Sequence, residues 1–397
     1  MPLRYLTAGE SHGPALVAIL EGLPSGLPLD AEVVNRQLAR RQKGFGAGPR
    51  MQIEQDQVRI LAGVLEGETI GSPLAMMIDN LDHAHWSGRS VVPLTLPRPG
   101  HADLPATLKY GYRDLRPALE RASARETAVR VAVGAVCCHL LAQLGITVGG
   151  YVRSIGTIEA DVSDIPLAQR ACLAEETDVR CPVPQAACKM KREIEMAIEE
   201  RDTLGGVIEI FVLGVPPGLG SHVHWDRRLD ARLGGALLSV PAIKGAEFGP
   251  AFANTRLRGT QVHDAIRLKE GRLVRPTNGC GGIEGGITTG QPILMRVAMK
   301  PVATMLTPQP TVNLAEGREA QTAYERSDIC PVPRAVPILE AVTGIVVADA
   351  LLEKLGGDTL QELRTRYDSL AQARLSDVHV DGAERVFWPG VGTQRPK

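Results

Sequence analysis

Residues 15–26 read ALVAILEGLPSG, a mostly apolar run over 15–23 that stops at Pro24-Ser25-Gly26. Apolar and β-branched residues bounded by Pro and Gly predict a strand followed by a turn. Asp30 then precedes AEVVNRQLARR, which predicts an N-cap and a helix. The order returns later. Residues 205–215 (GGVIEIFVLGV) predict a strand, Pro216-Pro217-Gly218 a turn, and Asp226 a cap before RRLDARLGGALL. Gly71-Ser72-Pro73-LAMMI is matched by Gly290-Gln291-Pro292-ILMRV, and an apolar helix expected over 118–144 by another over 334–355. Two related halves follow, near 1–150 and 200–356, within a single domain over 1–397. Strand–turn–helix order also recurs by chance in α/β chains, so that alternative stands at this point. The connection 151–199 is expected to be variable and superficial, with an exposed charged helix over 191–201. The tail 376–397 carries little pattern.

Composition excludes several classes. Of 397 residues, 44% are hydrophobic and 22% charged, the balance of a packed globular chain. Net charge is −1, which favours neither nucleic acid nor an acidic membrane. No stretch of about 18 uncharged apolar residues is visible, so no membrane span is expected. The N-terminus lacks the pattern of a secretory leader. Seven cysteines without CxxC spacing read as free thiols in a reducing compartment, and a cytoplasmic protein is expected. No metal-ligand spacing, no GxxxxGK[ST] loop and no strand–GxGxxG–helix unit is present.

Chemistry-bearing residues fall into clusters. Gly9-Glu10-Ser11-His12-Gly13 reads equally as a polar loop with a bonded histidine or as a proton donor held near a ligand. Arg40 to Met51 (RRQKGFGAGPRM) interleaves glycines with cations and suits a loop closing over an anion. Pro97-Arg98-Pro99-Gly100-His101 holds a second histidine in a stiff, Arg-bearing loop. Arg116 to Thr127 (RPALERASARET) places Arg121 and Arg125 on one helix face, at the start of an apolar run that must be buried. Arginines there point to an anion site. Thr277 to Gly286 (TNGCGGIEGG), Lys300 to Thr304 (KPVAT) and Arg326-Ser327-Asp328 add a glycine cluster, a cation after a strand and a cation beside a carboxylate.

Together these stretches resemble one family, chorismate synthase. GESHGPALVAILEGLP, ERASARETAVRVAVGAV, NGCGGIEGG and ERSDIC occur in order, and the resemblance runs to about residue 356. It implies an α+β fold: a β-α-β sandwich, a helical layer between two antiparallel sheets with two pseudo-repeated halves, assembled as a homotetramer. It implies a lyase that eliminates phosphate from 5-enolpyruvylshikimate 3-phosphate in an anti-1,4 sense, giving chorismate, the last step of the shikimate pathway. Reduced FMN is required without net redox change, and the protein supplies placement and charge. The family association with NADP concerns supply of reduced flavin; no nicotinamide site is readable here, so an external flavin reductant is expected.

By the same resemblance, His12 protonates the reduced flavin and His101 the departing phosphate, with Ser11, Ser123 and Asp328 as relays. Arg41, Arg50, Arg98, Arg116 and Arg125 form the substrate cage. Arg121, Ala122, Ser123, Gln261, Val262, Gly285, Lys300, Pro301, Val302, Ala303, Thr304 and Arg326 contact FMN. No metal is implied. One departure is Ala47, where the family usually carries Arg. It opens an alternative, a flavin-binding paralogue with weakened or lost activity. Milder departures are Cys280 and Thr289. The stretch 308–325 shows turn formers and few anchors, and is expected to order when FMN binds.

Overall fold

The computed structural model describes residues 2–47, 55–323 and 327–385. Two antiparallel sheets enclose a layer of helices. The first sheet runs Arg4–Ala8, Ala15–Glu21, Leu74–Asp79, Val58–Ala62 across its width. The second runs Ile158–Glu159, Thr147–Ile155, Gly206–Leu213, Ile293–Met299, Ile243–Phe248. Leaving aside the short Ile158–Glu159 edge, both sheets have the same order: first, second, fourth and third strand in chain sequence. The second sheet therefore begins at Thr147. Residues 151–155 are its strand, largely buried, and not part of a superficial connection.

Asp30 caps the helix Ala31–Gln42 as expected, its Oδ1 accepting from Val33 N at 3.1 Å. Asp226 does not cap. It sits in a single turn, Trp225–Arg227, where it accepts from the His224 ring, and the next helix starts at Leu229. The long helix expected over 118–144 is broken into Arg116–Ala122, a turn Ala124–Glu126 and Thr127–Ala142. Ser123 makes the break: extended at φ −66 and ψ 142, it caps the turn with its own hydroxyl. Its counterpart, Val332–Leu355, is continuous.

These two helices are the centre of the layer. Each is apolar nearly all round, which marks a helix buried on every side. They pack on glycines. A Cβ on Gly134 would lie 2.4 Å from that of Ala341, and one on Gly344 would lie 2.3 Å from Cys138 Sγ. Only bare backbone permits that approach. By length and hydropathy Val332–Leu355 could cross a membrane, but 89% of its most apolar 18-residue stretch is buried inside the protein.

Between the halves, Pro184–Glu199 is amphipathic, not simply exposed: Met190 and Ile194 join the core while its charges face outward. Residues 308–323 are also better anchored than expected. A hairpin, Pro310–Asn313 with Arg318–Gln321, is tied down by Thr311 Oγ1 donating to Pro97 O (2.6 Å) and Leu314 N to Thr95 O (3.0 Å).

Candidate active site

At the edge of the helical layer lies a cavity of about 760 Å³. Its floor is the Ser123 break, where the turn and the start of Thr127–Ala142 expose polar backbone and arginines. Seven arginines and Lys300 line it, against Asp82, Glu126 and Asp328. That cation-rich lining suits an anion, because guanidinium groups grip phosphate and carboxylate with planar, charge-assisted donors.

The deepest cations are Arg41 and Arg125, both almost fully buried. They divide a single buried carboxylate: Arg125 Nη1 donates to Asp56 Oδ1 at 2.5 Å and Arg41 Nη1 to Asp56 Oδ2 at 3.2 Å. Arg41 Nε also donates to Thr127 Oγ1, and Arg125 Nε to Asn80 Oδ1. Burial, only partly offset by Asp56, together with the Arg334 and Arg125 charges, pushes the Arg41 guanidinium down to about 9. It still carries its charge at neutral pH. Arg334, on the first turn of Val332–Leu355, donates to Asp328 and to Arg41 O.

The two histidines stand on separate walls. His12 Nδ1 lies 2.6 Å from Glu120 Oε1, and the His12 backbone N–H donates to Glu120 Oε2 at 2.7 Å. Ser11, nearly fully buried, receives the Ser123 hydroxyl proton at 3.1 Å. Burial pushes the Glu120 carboxyl up, but the His12 hydrogen bonds outweigh it and hold it below its usual value. On the other wall, His101 Nδ1 lies 2.6 Å from Asp103 Oδ1. Asp103 also accepts from Arg98 Nε (2.8 Å), Nη2 (2.9 Å) and N (3.0 Å). Burial opposes ionisation of Asp103, yet the Arg98 and His101 bonds hold it well below the carboxylate range. Arg98 Nη1 reaches Thr304 Oγ1 at 3.1 Å, which ties this wall to the Lys300–Thr304 loop.

The cavity thus gathers His12, His101, Ser11, Ser123 and Asp328, and also Arg41, Arg98, Arg116 and Arg125. Arg121, Ala122, Lys300, Val302, Ala303 and Thr304 line it too, with Pro301 in the same loop. Arg50 and Arg326 lie outside the described residues. Gln261 and Val262, in the short helix Gly259–Val262, and Gly285, in the turn between Ile283–Glu284 and Ile287–Thr288, do not line the cavity of this chain. The glycine cluster serves its own loop: Gly279 and Cys280 N–H donate to Asp264. Asp264, Cys280 and Glu284 lie close enough to share a cation, but Asp264 also accepts from Thr277 and Glu284 is paired with Arg275.

Residues the sequence reading passed over are Asp56, Asp82, Trp86 and Arg334. Arg334 alone had a signal, an arginine at the start of a buried apolar helix, as at Arg125.

Planar and anionic ligands suit this lining. Ala122, Pro241, Val302 and Ala303 supply an apolar patch beside the cations. Among the described residues, the buried Arg116 Nε has no hydrogen-bond partner, a donor in place for an incoming oxygen. The volume falls in the range of small-molecule sites.

A chorismate synthase family model matches residues 3–352. The chorismate synthase of Desulforudis audaxviator (strain MP104C) is 52% identical over 374 residues, covering 91% of this chain and 95% of that protein. That of Aquifex aeolicus (strain VF5) is 49% identical over 384 residues, covering 92% and 96%. A crystal structure of a chorismate synthase superposes with a TM-score of 0.77 at 44% identity, covering 93% of this chain and 97% of that one. None of this favours the paralogue reading. With the motifs in order, an arginine-lined cavity built from them and such relatives across nine-tenths of its length, the chain belongs to the chorismate synthase family of carbon–oxygen lyases.

Proposed function

We propose that the cavity takes 5-enolpyruvylshikimate 3-phosphate together with reduced FMN and eliminates phosphate to give chorismate. The observation that carries this reading is the excess of buried guanidinium around one shared carboxylate, Asp56. Two carboxylates and a phosphate bring about four negative charges. Arg41, Arg98, Arg116 and Arg125 meet that demand with planar donors fitted to such groups. Arg121, Ala122, Ser123 and the Lys300–Thr304 loop hold the flavin on the neighbouring wall. When bound, reduced FMN supplies the transient electron density that lets phosphate depart without net redox change.

The chain's own part is binding, orientation and protons. His101 gives a proton to the leaving phosphate oxygen, and Asp103 and Arg98 fix its ring. His12, with Nδ1 turned to Glu120, offers Nε2 to the flavin side. Ser11 and Ser123 join His12's wall to the arginine floor, and Asp328, paired with Arg334, closes the far side. Gln261, Val262 and Gly285 reach a flavin from another copy of the chain, which agrees with a homotetramer. The enzyme works in the cytoplasm as one domain, with reduced flavin supplied by a separate reductant.

Equilibrium titration tests the shared site. FMN fluorescence should change on binding, and 5-enolpyruvylshikimate 3-phosphate should tighten FMN binding several-fold, because two ligands pack in one cavity. Independent binding of the two, or no FMN binding, would contradict this arrangement.

A further inference from the structure

The strand-end loop that carries His12 and the short helix Arg116–Ala122 meet in an unusual way. One side chain on the helix, Glu120, holds His12 twice: its Oε1 faces the ring Nδ1 at 2.6 Å and its Oε2 accepts the His12 backbone N–H at 2.7 Å. The Glu120 backbone carbonyl takes the preceding N–H, from Ser11, at 3.1 Å. Three bonds from one residue fix two consecutive residues of the loop. A carboxylate at Nδ1 dictates that this nitrogen carries hydrogen, so proton exchange falls to Nε2. Carboxylate–histidine pairing of this kind orients imidazoles in metal and hydrolase sites.

Other groups facing the ring do not do this work. Asp82 Oδ2 is 3.9 Å from Nε2, beyond a direct hydrogen bond. His83 faces the His12 carbonyl, not its ring, with Nδ1 at 2.9 Å. Trp86 lies with its centroid 4.5 Å from the imidazole, tilted by 42°. Arg116, on Glu120's own helix, has its guanidinium 5.5 Å from the Trp86 ring centroid and draws on the Glu120 charge only from a distance. Among the described residues, Glu120 places a carboxylate oxygen within hydrogen-bond distance of the ring, and Asp82 does not.

We propose that Glu120 is a positioning residue for His12: it sets the imidazole tautomer, aims Nε2 into the cavity and holds the ring ready to give a proton. This rests on the proposed role of His12 as an acid. Glu120 touches neither substrate nor cofactor in this role, so its removal should act on proton delivery and leave substrate affinity in place.

The test uses Glu120→Gln, which keeps the side chain's shape but removes the charge and leaves one acceptor where two N–H groups donate, and Glu120→Asp, which keeps the charge on a shorter arm. In the free protein, the ring nitrogens of His12, assigned by difference from His12→Gln, are read by nitrogen NMR. The neutral wild-type ring should hold its hydrogen at Nδ1, and Glu120→Gln should lose that single tautomer. In the enzyme supplied with reduced FMN, kcat should fall by roughly 10- to 100-fold at neutral pH with KM for 5-enolpyruvylshikimate 3-phosphate within a factor of three. Glu120→Asp should recover much of both. An unchanged His12 tautomer in folded Glu120→Gln overturns the proposal. So does a rise in KM that accounts for the lost activity, which marks a packing role only. If the tautomer changes while kcat stays at the wild-type level, Glu120 sets the ring but His12 is not the acid, and the proposed role of His12 fails with it.

Discussion

Two histidines in this cavity each lean on a carboxylate at 2.6 Å, yet the two carboxylates are differently committed. Glu120 gives both its oxygens to His12, one to the ring and one to the backbone. Asp103 gives one bond to His101 and three to Arg98. Glu120 is therefore a dedicated support for His12. Asp103 is a junction, holding His101 and Arg98 in fixed relation. Similar pairs in a sequence can thus carry different loads, and the difference lies in who else shares the oxygens.

The largest effect should come from the rings themselves. His12→Ala and His101→Ala should each lower kcat by about 10²- to 10⁴-fold with the fold retained, checked by anaerobic turnover and circular dichroism. If one of them leaves kcat within tenfold, the two walls do not share the proton work. A carboxylate with no histidine gives the reference for pure ion pairing. Asp56→Asn should destabilise the protein by roughly 3–5 kcal/mol, since it leaves Arg41 and Arg125 buried without their counter-charge. Inorganic phosphate should restore part of the lost Tm. A Tm within a degree of wild type would mean that the two guanidiniums are neutralised otherwise.

Asp103→Asn should lose about 3 kcal/mol, and it should raise KM for the substrate roughly tenfold, because Arg98 is loosened with it. Glu120→Gln should lose less than about 1.5 kcal/mol. Equal losses in thermal unfolding would erase the distinction between junction and support. pH sharpens it further. Both carboxyls are held below their usual values, Asp103 much further. A group depressed in the folded state contributes stability above its unfolded pKa and loses it as pH falls toward the folded value. Stability should therefore drop from about pH 4 downward, and Asp103→Asn should flatten that acid slope more than Glu120→Gln. The smallest effect concerns the basic loop. Ala47→Arg should lower KM by up to about tenfold by adding a charge-assisted contact; an unchanged or raised KM would show that Ala47 costs nothing.

Much of the frame was legible in the chain. The runs at 15–23 and 205–215 announce strands because Pro-Gly turns cut them off sharply; the matching strand orders of the two sheets are seen only in the structure. Asp30 was readable because a cap acts within three residues. Asp226 had the same local look, but its carboxylate is engaged by the His224 ring in a separate turn instead of capping the next helix. The break at Ser123 was hidden within a helical composition, and it is the break that aims Arg125 inward. The histidines and arginines stood out in glycine- and proline-bound loops. Their partners did not: Asp56 meets Arg125 across 69 residues and Glu120 meets His12 across 108. No periodicity encodes such pairings, which exist only once the distant segments of the first half have folded against one another. Gln261, Val262 and Gly285 mark the opposite limit, residues assigned by likeness that one chain does not bring to the cavity.

The most direct measurement is anaerobic release of phosphate from 5-enolpyruvylshikimate 3-phosphate by the purified protein with chemically reduced FMN, with chorismate followed in parallel. The expected result is phosphate and chorismate appearing together, in equal amounts, with reduced flavin and not with oxidised flavin. Phosphate without chorismate, or no turnover by protein that demonstrably binds FMN, would contradict the assignment of this cavity to the elimination.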